Sequence, residues 1–98
     1  MRLLLTAAGA ADLIGIARRL AQASGSKAIG TSFSRELREQ CEKLAKLPGT
    51  LGRERPDLGP RLRSFPFKGY VVIFRYGDDI FEVARILSGR MNIADLFD

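Results

Sequence analysis

Between Arg53 and Arg75, six basic side chains (Arg53, Arg55, Arg61, Arg63, Lys68 and Arg75) meet only two acidic ones, Glu54 and Asp57. Closely spaced cations of this kind attract an anion, whether nucleic acid, an acidic protein segment or a membrane surface. They could also surround a scissile phosphate, provided a general base and acid stood beside them. Glu54, between Arg53 and Arg55, could act as that base and Lys68 as an acid or electrostatic stabiliser. The rest of the acid–base inventory is thin: there is no histidine, and the two tyrosines, Tyr70 and Tyr76, fall in one apolar run. Lack of histidine argues against zinc sites and histidine-dependent triads. Glu54 therefore reads better as a loop charge paired with its neighbours. The plain alternative for the whole basic stretch is a solvated face without a partner.

Other reactive side chains have simpler explanations. Cys41 falls on the apolar stripe of a helical segment and reads as a small core residue. It is the only cysteine, so no disulfide can form within the chain and nothing points to an oxidising compartment. Phe65 and Phe67 flank Pro66 and either form an exposed aromatic patch or pack under the preceding loop. Arg85 stands inside an apolar strand-like run, where an unpaired guanidinium is costly. It either bonds carbonyls or a carboxylate, or it lines a groove. Gly52, Gly59 and Gly69 fit turns and build no phosphate loop of known spacing.

These side chains have to be positioned by a chain of 98 residues, which is expected to form one domain over residues 1–98. Its 46% apolar and 28% charged content is that of a folded protein rather than a disordered one. Of the net charge of +5, four come from the stretch between Arg53 and Arg75. The opening Met1-Arg2-Leu3-Leu4-Leu5-Thr6-Ala7-Ala8 resembles a signal peptide, but Asp12 interrupts it and the segment from Leu13 to Leu20 continues as a helix. A first strand followed by a helix accounts for it better. No apolar stretch approaches the roughly 20 residues that span a bilayer, and a cytoplasmic location with no membrane contact is expected.

Arg2 to Leu5 reads as a short strand, with Thr6 placed to cap the helix that follows. Gly9 and Gly15 weaken that helix by about 1 kcal/mol each relative to alanine, so burial must compensate. Ser24-Gly25-Ser26 turns the chain into a second helix. There Ile29, Phe33, Leu37, Cys41, Leu44 and Leu47 recur every three or four residues as one stripe. The short turn predicts an antiparallel helical hairpin. Pro48-Gly49 ends it, and Leu51 to Pro60 reads as a loop. Strands are expected at Leu62 to Phe65, Tyr70 to Tyr76 and Ile80 to Leu87, the last two joined by a tight turn at Gly77-Asp78-Asp79. In the last strand Phe81, Val83 and Leu87 are expected on the face under the helices, with Arg85 on that side or its rim. The tail from Asn92 is expected to add a short helical turn. The order β-α-α-β-β-β, with a helical hairpin on a small, largely antiparallel sheet, is an α+β fold.

Several segments then match one family in order and spacing. They are Thr6-Ala7-Ala8 with Asp12-Leu13, Leu44-Ala45 with Pro48, Gly52-Arg53-Glu54-Arg55-Pro56-Asp57-Leu58, and Leu62-Arg63-Ser64-Phe65-Pro66. Tyr70-Val71-Val72-Ile73-Phe74-Arg75-Tyr76 and Ala84-Arg85-Ile86-Leu87-Ser88-Gly89-Arg90 complete the set. Together they cover nearly the whole chain, which resembles the ParE branch of the RelE/ParE toxins of bacterial type II toxin–antitoxin modules. The resemblance implies a small toxin without a cofactor, held inactive by a cognate antitoxin in a hetero-oligomer. ParE-like proteins are described as poisons of DNA gyrase, whereas RelE-like relatives cut mRNA on the ribosome. RelE-type nucleases use strand cations plus a tyrosine, or a histidine–tyrosine pair, near the C-terminus. The end here, Ser88 to Asp98, has neither, and Ser88 stands where histidine is common. This favours the ParE branch.

The resemblance also implies an antitoxin of ParD-like or other ribbon-helix-helix type, whose acidic tail folds on the toxin. A basic toxin with an apolar groove suits such a tail, taken up as a helix in the groove or as an added strand. The reading is thus a non-enzymatic toxin that binds gyrase. Its target-binding basic surface comprises Arg53, Arg55, Arg61, Arg63, Arg75, Arg85 and Arg90, with the tail from Asn92 to Asp98 a lesser candidate. One alternative is a RelE-type ribosome-dependent mRNA endonuclease that gathers Arg63, Lys68, Arg75 and Arg85 around the phosphate. The other is an inactive toxin-fold protein that only binds its antitoxin.

Overall fold

The computed structural model describes residues 1–97 and places two helices on one face of a five-stranded sheet. In chain order the elements are β1 (Arg2–Leu5), α1 (Ala7–Ser24), α2 (Lys27–Lys46), β2 (Arg53–Glu54), β3 (Arg63–Phe67), β4 (Tyr70–Gly77), β5 (Ile80–Ser88) and a 3-10 helix (Ile93–Phe97). The strands lie in the order β1-β5-β4-β3-β2; β1 runs parallel to β5 and every other pair is antiparallel. The expected α+β fold is therefore present, with one addition. Arg53 and Glu54, expected in a loop, pair with Ser64 and Arg63 as a two-residue edge strand.

The helical hairpin forms as its caps require. Thr6 accepts from the Gly9 N–H at 3.0 Å and Ser26 from the Ile29 N–H at 3.3 Å, each satisfying a free donor of the first turn. Between them Gly25 takes the left-handed backbone, at φ 71°, that ends α1. Of the α2 stripe, Leu37 and Cys41 are buried, Phe33 and Leu44 pack on the core, and Ile29 and Leu47 at its two ends are exposed. The helices touch most closely at Gly30, where a Cβ would lie 2.2 Å from the Ala17 carbonyl oxygen.

The expected face of β5 needs a correction. Ile73 pairs with Arg85 but Phe74 pairs with Val83, so Ala84 has no partner. This one-residue bulge reverses the alternation beyond it. Phe81, Val83 and Ile86 face the helices with Val72 and Phe74, whereas Leu87 joins Ile73, Leu58 and Ile93 in a second cluster. That cluster is covered by Leu62 of the loop and by the 3-10 helix. The helical turn expected in the tail is this helix, and Ile93 is a buried part of it; Asp98 lies outside the described residues.

β1 ends at Leu5, so β5 runs on past it with an uncovered edge, and Thr6 and the first turns of α1 complete that edge with backbone and side-chain groups. The Thr6 N–H donates to the Val83 carbonyl (3.0 Å) and the Thr6 hydroxyl to the Ala84 carbonyl (2.7 Å). Further on, the Ile86 N–H donates to Asp12 Oδ2 at 2.8 Å. Gly9 permits this approach, because a Cβ there would lie 2.8 Å from the Val83 oxygen. Its helix penalty is thus offset by the fit to the strand.

Candidate partner-binding surface

The basic loop is laid down by glycine and then pinned. Gly52, at φ 74°, lies against Phe74 and the Ser64 carbonyl so closely that a Cβ would sit 2.8 Å from both. The Leu51 N–H beside it donates to the Tyr76 hydroxyl at 2.9 Å. This fixes two carbonyls for Arg63, whose Nε donates to Leu51 O (2.7 Å) and Nη2 to Gly52 O (3.0 Å). Its remaining Nη1 stands 3.5 Å from Glu54 Oε1. Arg63, Glu54 and Tyr76, together with Thr50, Pro56, Gly59, Pro60, Arg61 and Leu62, line a cleft of about 720 Å³.

The seven arginines expected to form the basic surface divide into two groups. Four are engaged by carboxylates: Arg55 with Asp57 (2.9 Å), Arg63 with Glu54, Arg75 with Glu82 (2.6 Å) and Arg85 with Asp12 (2.8 Å). The Arg55 guanidinium, donating twice to Asp57, holds that carboxyl below its ordinary range. The hydrogen bond to Asp12 likewise raises Arg85 further above its already high value. The other three, Arg53, Arg61 and Arg90, are exposed and form no ion pair among the described residues. Of the seven, they are the ones with charge left for a partner. Arg61 adopts a left-handed φ of 63°, uncommon for a residue with a Cβ.

Arg63, Lys68, Arg75 and Arg85, the four cations of the nuclease alternative, do not gather at one point. Lys68 bonds Glu36 of α2 from the turn between β3 and β4, and the others are held by Glu54, Glu82 and Asp12. Arg63 pairs with Phe74 in the row facing the helices, whereas Arg75 follows on the other side of the pleat. The two tyrosines stand in different surroundings. Tyr70 packs on Phe33 at 5.5 Å, and the Tyr76 hydroxyl holds the Leu51 N–H. Glu54, the candidate base, is an exposed counter-ion. No cluster of three or more cysteine, aspartate or glutamate side chains that could hold a metal occurs among the described residues. The arrangement can bind anions and apolar groups.

Two questions the sequence left open are answered by packing. Phe65 and Phe67 pack on the main core, Phe65 against Phe74 at 5.5 Å and Phe67 against Phe33 at 6.2 Å. Arg85 takes the carboxylate option through Asp12. Cys41 is a core residue, with burial pushing its thiol up to about 11. The cleft itself was missed. Its walls come from Thr50, from Glu54 and Pro56, from Gly59 to Arg63 and from Tyr76, and only the pairing of β3 with β2 and β4 brings them together. The glycine before Arg53 was the available signal of a tightly laid loop.

Known proteins share this fold. The fold resembles a solved chain of a chromosomal ParDE toxin–antitoxin system from P. aeruginosa, with a TM-score of 0.76, 22% identity, and coverage of 90% of this chain and 95% of that one. In sequence the chain is 33% identical to Toxin ParE3 of Caulobacter vibrioides over 93 residues, covering 95% of this chain and 91% of that protein. A family model described as the ParE toxin of the type II toxin–antitoxin system parDE matches residues 3–93. With almost the full length matched by that model, the chain belongs to the ParE toxin family of type II toxin–antitoxin systems.

Proposed function

We propose that this toxin inhibits DNA gyrase and is neutralised by a co-encoded antitoxin of ParD-like or other ribbon-helix-helix type in a hetero-oligomer. Membership of the ParE family carries the reading. The dispersal of the strand cations supports it over the nuclease alternative, because each of Arg63, Lys68, Arg75 and Arg85 is bound to a separate carboxylate. A phosphate-cleaving site needs such cations convergent on one point and a free acid–base pair. Action by binding needs neither.

The cations offered to the target are the exposed Arg53, Arg61 and Arg90, of which Arg61 lies toward the Tyr76 end of β4, Arg90 beyond its Tyr70 end and Arg53 between them, with the ion-paired Arg55, Arg63, Arg75 and Arg85 in supporting roles. The tail contributes its exposed residues Asn92, Asp95 and Leu96. Since gyrase is a cytoplasmic enzyme, the toxin acts in the cytoplasm. Expression without the antitoxin, with DNA, RNA and protein synthesis followed separately by pulse labelling, tests the reading. Early loss of DNA synthesis supports gyrase inhibition; prompt loss of protein synthesis with cut mRNA would transfer the assignment to the endonuclease. An absence of toxicity would leave an antitoxin-binding protein only.

A further inference from the structure

The two edges of the sheet are finished differently. The edge at β2 is two residues long, and both, Arg53 and Glu54, are charged and exposed. Short, charged edges of this kind resist pairing with another chain. The edge at β1 carries Leu3, Leu4 and Leu5, with Arg2 its single charge, and it has neither proline nor bulge.

β1 also leaves backbone groups unpaired in a defined pattern. The Arg2 N–H donates to the Asp79 carbonyl at 2.9 Å and the Thr6 N–H to the Val83 carbonyl at 3.0 Å. Along a strand the backbone groups of alternate residues point to opposite sides. Arg2, Leu4 and Thr6 therefore bond β5, whereas the N–H and C=O of Leu3 and Leu5 point away from the sheet. Among the described residues no strand lies on that side, and no backbone bond from a turn or loop reaches these groups. The side chains divide likewise: Leu3 and Leu5 pack on the core, while Leu4 is exposed. Met1 before the strand, and Ala7 and Ala8 after it, are exposed as well.

We infer that β1 is a self-pairing edge, through which two copies of this chain join their sheets about a two-fold axis at Leu4. In antiparallel register Leu3 of each copy exchanges its free backbone bonds with Leu5 of the other, and the two Leu4 side chains meet across the axis. The same register carries Met1 of one copy to Ala7 of the other, so apolar groups meet at each of these positions. The two Arg2 residues stand about 13 Å apart along the pair, beyond the roughly 8 Å over which exposed charges interact at physiological salt. A second copy suits this edge better than an acidic partner, because Leu3 to Leu5 offers such a partner no cation and is complementary to itself. An interface this small, between chains each carrying a net charge of +5, is weak, and added salt should strengthen it by screening. The inference stands apart from the gyrase reading, since β1 holds none of the arginines assigned to the target.

The test is disulfide cross-linking of cysteine reporters in the full chain, beside sedimentation of the parent. Across a non-hydrogen-bonded antiparallel pair the Cα atoms stand about 4.5 Å apart, within the span that a disulfide bridges. Leu4→Cys should therefore form a covalent dimer under mild oxidation. Arg2→Cys, opposite Thr6 of the other copy, should not, and the native Cys41 is buried and does not compete. Sedimentation at rising concentration and salt should show a monomer–dimer equilibrium. Leu4→Lys and Leu4→Glu should each weaken it by about tenfold, through lost apolar contact and like charges directly opposite. An equimolar mixture of the two should regain it, which separates a broken interface from a misfolded chain. A parent that is monomeric at every concentration, or equal cross-linking of Leu4→Cys and Arg2→Cys, would overturn the pairing. So would a Leu4→Cys thiol that labels freely in the chain alone and is protected only once the co-encoded antitoxin is added, which would give the edge to that protein.

Discussion

Asp12 and Arg85, 73 residues apart in the chain, form a two-point ion pair in which Arg85 Nε donates to Asp12 Oδ2 at 2.8 Å and Nη2 to Oδ1 at 3.2 Å. The same Oδ2 accepts the Ile86 N–H, so one carboxylate both neutralises the strand arginine and completes the edge of β5. Arg85 is thereby a structural cation first.

Replacing Asp12 by alanine strands a guanidinium and a backbone N–H together. The expected loss is about 2 kcal/mol, or roughly 10 °C in melting temperature for a chain of this size. Arg85→Glu should cost at least as much, so its effect on toxicity is read only beside a melting curve. A melting temperature unchanged in both variants would show the pair to be incidental.

Arg75 offers the contrast. Its partner Glu82 lies directly across the β4–β5 ladder, and the Arg75 side chain is 53% exposed. Such a pair contributes under about 1 kcal/mol. Arg75→Ala should therefore melt within a few degrees of the parent, and its effect on growth arrest, whichever way it falls, reports on the surface. A large drop in stability by calorimetry would refute that separation.

Two glycines should respond to alanine with opposite signs. Gly30→Ala drives a methyl against the Ala17 carbonyl at 2.2 Å and should cost at least about 2 kcal/mol by forcing the helices apart. Gly15 meets only the tip of Arg19 at 3.8 Å, so Gly15→Ala should gain up to about 1 kcal/mol of helix propensity. Chemical denaturation of the two variants side by side decides it; equal effects would contradict the helix crossing described here.

Cys41 predicts an alkaline weakness. Its buried thiol is raised from 9.0 to about 11 in the folded chain. The unfolded thiol ionises first, so this contribution to stability is complete below pH 9 and is lost as pH rises toward 11. By linkage the loss reaches about 2 kcal/mol. Cys41→Ala, though less stable at neutral pH for its smaller side chain, should lose less stability over that interval than the parent. Parallel pH profiles for the two would exclude the thiol as the cause.

The elements were legible where the pattern was local: the capped helices, the α2 stripe around Leu37 and Cys41, and the hairpin at Gly77-Asp78-Asp79. The bulge at Ala84 was not, since it depends on how Val83 and Arg85 register against Phe74 and Ile73, and it moved Leu87 to the opposite face. The basic stretch was legible as a concentration of charge. Which arginines remain available was hidden in partners distant in sequence, Asp12 for Arg85 and Leu51 with Gly52 for Arg63. The cleft depended on Tyr76 meeting a loop 25 residues earlier.

The most direct measurement incubates the purified chain with gyrase and supercoilable plasmid, with and without Arg53→Glu, Arg61→Glu and Arg90→Glu combined. The account predicts that the parent blocks supercoiling and accumulates cleaved DNA, and that the triple variant does neither while melting close to the parent. Undisturbed supercoiling by the parent, alongside cleavage of mRNA on ribosomes, would contradict it.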